Sequence, residues 1–299
     1  MSTTAIPADV DLDVAKKPPG IFRVALRMWR TRVGLIIVAA LCIVALFGRY
    51  IAPYGEVEAV GLPFKPSGQT RKHSWLGSAN RGHDVWSRFL YGCKPILIAA
   101  ALATALALVL GTIVGLIAAY NRRRLDDVLM RAMDVVLSLP QIITALLVIS
   151  MFGATTKLIV LTVGISTVPR IARVVRGAAI SVVERDFVAA AESLGESRTR
   201  ILRSELLPNV AAPLLVEANL RLTFSIGLIA GIAFLGFTAD PGAANWGLMI
   251  NENRKGLAPN HWGVTLPVIA IALLTIGTGL IGDGLSRAAA GIDRERGDA

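Results

Sequence analysis

Long apolar runs separated by charged islands set the pattern of this chain. Runs at about 33–51, 93–120, 138–152, 158–175, 209–237 and 264–281 are each dominated by Leu, Ile, Val and Ala. A helix needs about 20 apolar residues to cross a bilayer, so the pattern predicts six transmembrane helices and no strands. The first run stops before Pro53, the third carries Pro140 near one end, and the fourth carries Pro169 inside it. Residues 125–137 are amphipathic and predict a helix at the membrane interface. Two polar stretches, 53–92 and 238–262, fall between spans on the side opposite the termini. Gly111 and Gly115, and again Gly227 and Gly231, are four apart, which offers two faces for close helix packing in lipid.

The ends are polar. Residues 1–20 contain Pro7, Pro18 and Pro19 and predict a disordered leader; 289–299 read as a tail. The first apolar run is too long for the apolar part of a cleaved signal and reads as a retained anchor. Residues 21–32 read as a helix with Phe22, Ala25, Leu26 and Trp29 on one face and Arg23, Arg27 and Arg30 on another. Either it lies in the interface, or it is the charged start of a longer helix.

The most polar interruption is 183–209. Phe187, Ala190, Ala191 and Leu194 recur at spacings of three and four, so they predict one helical face. Gly195 predicts its end, Ser197 the cap of a second helix at 198–207, and Pro208 the start of the next apolar segment. Arg198, Arg200 and Arg203 make this knuckle basic.

Composition narrows the class. Of 299 residues, 54% are hydrophobic and 17% charged. Mean hydropathy is +0.60, which fits a multi-pass membrane protein. The net charge of +10 then reads as Lys and Arg retained on the inner side rather than as a nucleic-acid surface. The short loops with Arg122–Arg124 and Arg170–Arg203, and both basic ends, place the two termini in the cytoplasm. Cys42 and Cys93 suggest neither a disulfide nor a metal site.

The knuckle resembles the cytoplasmic coupling loop of ABC-importer permeases. That family's pattern runs Glu-Ala-Ala, three residues, Gly, nine residues, then a hydrophobic residue, one residue and Leu-Pro. Ala190, Ala191, Gly195, Leu207 and Pro208 match it, and Ala189 stands where the family has Glu. A second segment is similar to the dipeptide, oligopeptide and nickel branch. Leu76, Gly77, Gly82, Asp84, Ser87, Arg88, Tyr91 and Gly92 match there, with His83 in place of Arg. Phe234-Leu-Gly236, Trp246-Gly-Leu-Met249 and Gly282-Asp-Gly-Leu285 resemble the branch's C-type subunit.

The resemblance implies a type I ABC importer permease fold and a subunit of an ATP-driven importer for short peptides, located in the cell inner membrane. Beside the helix read above at 21–32, the expected divisions are a first span and outer segment at 33–92 and a core permease domain at 93–288 with the coupling loop at 178–207. The partners it implies are a second related permease, ABC ATPase subunits and an extracytoplasmic binding protein. ATP and Mg would sit on the ATPase, with no cofactor in this chain. Phe187, Ala189, Ala190, Ala191, Leu194, Gly195, Arg198, Leu207 and Pro208 are the expected ATPase-coupling residues. Trp75, Asp84 and Trp246 are expected at the binding-protein face; simple interfacial anchoring is the alternative for the tryptophans. Glu217 and Arg221, four apart, either line the inner end of a path or pair with each other.

An enzyme is not expected. No Gly-x-x-x-x-Gly-Lys-Ser/Thr loop occurs, and no span carries a Ser/His/Asp set. The same architecture could carry haem, a nickel chelate or glutathione, or serve as a channel or scaffold without ATP coupling.

Overall fold

The computed structural model describes residues 21–121 and 124–290. The leader 1–20, the tail 291–299 and the pair Arg122 and Arg123 lie outside the described residues.

A short helix α1 (Ile21–Arg27) breaks at Met28, and α2 (Trp29–Ile51) follows as the first span. The predicted helix at 21–32 is therefore two elements: Trp29 to Arg32 already belong to the span. Within α1, Ala25 is buried against Leu285 and Ala288 near the chain's other end, whereas Leu26 and Trp29 are exposed. In α2 the buried positions are Thr31, Gly34, Leu41 and Gly48, a narrow stripe. Its Thr31 and Gly34 end meets the last long helix, α12 (Trp262–Ala290), while Leu41 and Gly48 meet Cys93 and Leu90 of the next span. A Cβ on Gly34 would lie 2.5 Å from the Gly277 carbonyl oxygen.

The second span, α3 (Val85–Tyr120), is 36 residues long and starts well before the predicted 93. Ala99, Ala103, Ala107, Gly111, Gly115 and Ala119 are all buried along it. Repeating at four, they form a ladder of small residues. Helix α6 (Thr156–Val183) lies against that ladder and extends the predicted fourth span at both ends. A Cβ at Gly111 would meet the Ile171 Cβ at 2.7 Å, and one at Gly115 the Ala172 carbonyl oxygen at 2.6 Å. In lipid, apolar burial against solvent does not drive helices together. Close van der Waals approach does, and small residues permit it. The second predicted small-residue face is not used this way: Gly227 has open space, and Gly231 meets only the tip of Ile142 at 3.8 Å.

Between α3 and α6 lies a broken element. Helices α4 (Arg124–Ser138) and α5 (Gln141–Phe152) meet at an 80° bend before Gln141. Pro140 causes the break, since proline disfavours helical backbone in the residue before it. With 12 residues, α5 reaches about 18 Å, short of the roughly 30 Å hydrocarbon core. Among the described residues there are therefore five helices long and apolar enough to cross, or six spans if the bent pair counts as one.

No residue of α4 is buried, and polar bonds tie it to α6; α5 also buries Ala145 and Ile149 in the core that holds Ile159 and Val163 of α6. Asp126 accepts from Arg176 Nε and Nη2, both at 2.6 Å, Asp134 pairs with Arg173, and Gln141 bonds Ser166 at 3.0 Å and Thr167 at 3.1 Å. Arg170 donates to the Gln141 amide oxygen at 3.3 Å. The arginines read from sequence as a basic loop edge are thus partners of a neighbouring helix.

After α6 come α7 (Asp186–Ser193), a one-turn α8 (Arg198–Arg200), a π-helical stretch Ile201–Leu206 and a one-turn α9 (Leu207–Asn209). Then α10 (Ala211–Phe234) crosses back, α11 (Trp246–Asn253) packs on the far side, and α12 returns. Thr223 and Asn219 of α10 bond Thr278 Oγ1 and the Thr278 carbonyl oxygen of α12 at 2.9 and 2.7 Å.

Candidate functional site

The segment 186–209 forms a compact knuckle on the side of the described chain ends, the arginine-rich inner side. Leu194 closes α7, and Gly195 adopts φ +76°, a left-handed conformation that glycine takes without Cβ strain. Ser197 holds the N-cap position of α8 without bonding its backbone; its hydroxyl instead lies 3.3 Å from Thr199 Oγ1.

The knuckle has its own core. Val188 and Ala191 turn inward from α7, and Ile201, Leu206 and Val210 follow from the second half. All join the inner ends of α3 and α6 through Leu116, Ala119, Val175, Ala179 and Val182. Ile201 and Leu206 are completely buried. The single predicted face on α7 therefore splits: Ala191 faces the core, while Phe187, Ala190 and Leu194 present an outward apolar strip at spacings of three and four. Leu194 is 83% exposed. Ala189, Gly195, Arg198 and Pro208 are exposed, and Leu207 is half-buried.

Two side-chain bonds brace this strip against α3. Tyr120 donates to Glu192 at 2.7 Å, and Arg198 donates to the Asn121 side-chain oxygen at 3.4 Å. An Arg200–Glu196 pair at 3.4 Å closes the turn. Neither Tyr120 nor Glu192 carried a signal in sequence, because their meeting depends on α3 ending level with α7.

On the opposite side, residues 53–84 fold over the start of α3 rather than hanging as a loop. Asp84 is its pivot. Its carboxylate accepts from Ser74 Oγ at 2.7 Å, Ser87 N at 2.8 Å and Ser87 Oγ at 2.7 Å, capping α3. Arg88, 1% exposed at its side chain, donates to His83 Nδ1 at 2.7 Å and pairs with Glu252 of α11 at 3.3 Å. An arginine only donates, so His83 Nδ1 accepts and the imidazole is neutral. Burial, then the charges of Arg88 and Arg81, hold its pKa below the ordinary histidine value. Asn253 and Asn260 stitch the same cap by bonds to Asn80 N at 2.9 Å and the Leu76 carbonyl at 2.9 Å. Trp75, Trp86, Phe89 and Trp246 line up ring to ring, with centroids 6.4, 5.7 and 5.3 Å apart.

This geometry corrects two of the expected outer contacts. Asp84 and Trp246 are both wholly buried, one as a helix cap and the other donating its indole N–H to the Phe89 carbonyl at 2.9 Å. Neither is available to a docking protein. Trp75 is 59% exposed. Glu217 and Arg221 do pair, at 2.7 Å along α10, with side chains only 7% and 12% exposed. The pairing their spacing implied is therefore formed inside the bundle.

Cys42 and Cys93 are free thiols, and no group of metal-binding side chains occurs among the described residues.

Residues 111–290 match a family described as the binding-protein-dependent transport system inner membrane component. A dipeptide transport system permease protein of Alkalihalophilus pseudofirmus is 32% identical over 85% of this chain and 83% of its own length. A putative peptide transport system permease protein of Brucella suis is 33% identical over 95% of this chain and 96% of its own. A glutathione transport system permease protein of Escherichia coli is 32% identical over 84% and 82%. Among solved structures, an amino acid ABC transporter crystallised with histidines superposes with a TM-score of 0.50 at 16% identity, over 70% of this chain and 94% of that one; this likeness is one of fold.

Proposed function

The chain belongs to the binding-protein-dependent transport inner membrane component family, and from that premise we propose that it imports short peptides as one of two related permeases. It is an ABC-importer permease, a multi-pass transport component of the inner membrane. The peptide cargo rests on the relatives named for peptides and dipeptides.

The observation that carries the mechanism is the outward strip Phe187, Ala190 and Leu194 on a knuckle fused to the ends of α3 and α6. An ATPase groove would seat that strip, with Ala189 leaving room for close approach and Gly195, Arg198, Leu207 and Pro208 on the exposed side. Because Ile201 and Leu206 root the knuckle in the bundle, a push on it moves α3 and α6 rather than bending a loop. ATP hydrolysis belongs to the partner subunits. The core 93–288 would enclose the path with the second permease, and the folded cap of 53–84, with Trp75 exposed on it, would receive the binding protein.

A second reading, import of glutathione, is favoured by the glutathione permease relative. Proteoliposomes holding this chain, its second permease, the ATPases and the binding protein would test both. ATP-dependent uptake of labelled Ala-Leu supports the peptide reading. Uptake of glutathione alone supports the second. An ATPase that does not co-purify with the chain overturns coupling in either form.

A further inference from the structure

At their outer ends, α3, α6 and α10 line a half-open pocket of about 320 Å³ together with the turn that follows α10. That is the size and shape class of a small-molecule site, not of a packing defect. Its walls are chiefly apolar, with Ile98, Ile159 and Ile229 among them. Five polar side chains border it: Lys94 from α3, Thr156 from α6, and Thr238, Asp240 and Asn245 from the turn, the last of these already accepting from Gly247 N at 3.0 Å.

Thr238 is only 8% exposed, and its Oγ1 has no hydrogen-bond partner. A buried hydroxyl left unpaired is destabilising, so a polar group entering the cavity would remove that cost. Lys94 and Asp240 are both exposed, and among the described residues neither joins an ion pair. Asp240 Oδ1 accepts from Gly242 N at 2.8 Å, which leaves its second oxygen free. Two unpaired charges of opposite sign thus border an apolar chamber that holds a third unsatisfied polar group. A purely apolar occupant would leave the buried Thr238 hydroxyl unsatisfied, whereas a ligand with both charges could engage Lys94 and Asp240 at the rim together.

We infer that this cavity is an outer subsite for a small zwitterion with an apolar body, a peptide of a few residues. Lys94 would take its carboxylate, Asp240 its ammonium and Thr238 a peptide-bond group, with an aliphatic side chain against the three isoleucines. The inference deepens the peptide-import reading and rests on it for the choice of ligand. It places first contact with released cargo within this subunit's outer mouth.

The test uses the full chain carrying Ala239→Cys, an exposed wall position, in phosphatidylglycerol nanodiscs. The rate of labelling by a membrane-impermeant thiol reagent is read against the parent chain, which corrects for Cys42 and Cys93. Millimolar Ala-Leu should slow labelling by about fivefold, by simple mass action. The N-acetylated, C-amidated peptide should not slow it, and Lys94→Ala or Asp240→Ala should each abolish the protection. No slowing by Ala-Leu, or equal slowing by the blocked peptide, overturns the subsite. Phosphatidylethanolamine supplies the same two charges from a lipid headgroup. If adding that lipid protects the thiol and Ala-Leu adds nothing, the occupant is lipid and the peptide subsite falls. Protection in nanodiscs without peptide uptake in proteoliposomes keeps the subsite and sinks the import reading; uptake without protection does the reverse.

Discussion

Tyr120, the last residue of α3, donates its hydroxyl to a carboxylate oxygen of Glu192 on α7 across 2.7 Å. The bond joins the inner end of the longest helix to the element that carries the exposed strip. A lever works only if its two arms move together, and here one arm is tied to the other by a side chain as well as by the core beneath. Replacing Tyr120 with Phe keeps the ring and removes the tie, a loss of about 1 kcal/mol. The Tyr120→Phe protein should reach the membrane at normal abundance. The ATP hydrolysed per peptide imported should rise by roughly two- to fivefold as the knuckle slips, which is measured in proteoliposomes.

Leu194 lies 83% exposed at the end of the strip and touches little of its own chain. Leu194→Asp should therefore leave the thermal stability of the purified chain unchanged. Burying the new carboxylate in a partner's apolar groove without a counter-charge should weaken ATPase binding by at least about tenfold, or 1.4 kcal/mol. Titration of purified ATPase against the chain in nanodiscs reads this directly.

Asp84 receives three hydrogen bonds inside the outer cap. Asp84→Ala removes a helix cap and the acceptor of the Ser87 hydroxyl, and leaves Ser74 only the Gly77 carbonyl at 3.1 Å, costing about 2 kcal/mol. Limited proteolysis from the outer side should cut residues 53–84 of this variant at a protease dose that leaves the parent intact.

His83 gives the cap a pH dependence. The groups facing it are Arg88, Arg81 and, beyond Arg88, Glu252. Its folded pKa is lowered by burial and by the two arginines, so the unfolded cap binds the proton more readily. The contribution is then fully present above the unfolded value of about 6.5 and is lost as pH falls through the lower folded value. Outer-segment protease resistance should drop between neutral and acidic pH, and His83→Asn should flatten that drop. An unchanged slope in the variant would assign the effect to another group.

Gly115 and Gly227 make a matched pair of tests. Gly115→Val drives a side chain into the Ala172 carbonyl and the Val175 side chain of α6, and overpacking of this kind costs about 1–3 kcal/mol. Gly227→Ala meets open space and replaces a poor helix former with the best one. Thermal unfolding in detergent should show the first lowered and the second equal or raised.

Much of the candidate site could be read along the chain, and the rest could not, for one reason. The turn at Gly195 was legible because a left-handed residue ends a helix locally. The tight α3–α6 packing was legible at Gly111 and Gly115 but not its full length, since alanines at 99, 103, 107 and 119 look like ordinary apolar filler. Glu217 and Arg221 pair as their spacing implied, yet whether the pair faces a path depends on α10's neighbours. The divided faces of α7 were hidden because Ala191 and Ala190 are the same residue type, and only the position of Ile201 and Leu206 decides which of them is covered.

By itself the sequence determined five of the six apolar spans and their order, and the charged knuckle between the fourth and fifth predicted spans; the break at Pro140 in the third it marked only by the proline. Those follow from hydropathy, periodicity and charge, properties each segment carries alone. Tertiary structure alone decided that Arg173 and Arg176 serve α4, that Asp84 and Trp246 are interior, and that Tyr120 holds Glu192. Each of these joins residues distant along the chain, and a side chain's role there is set by what the fold brings within hydrogen-bond reach.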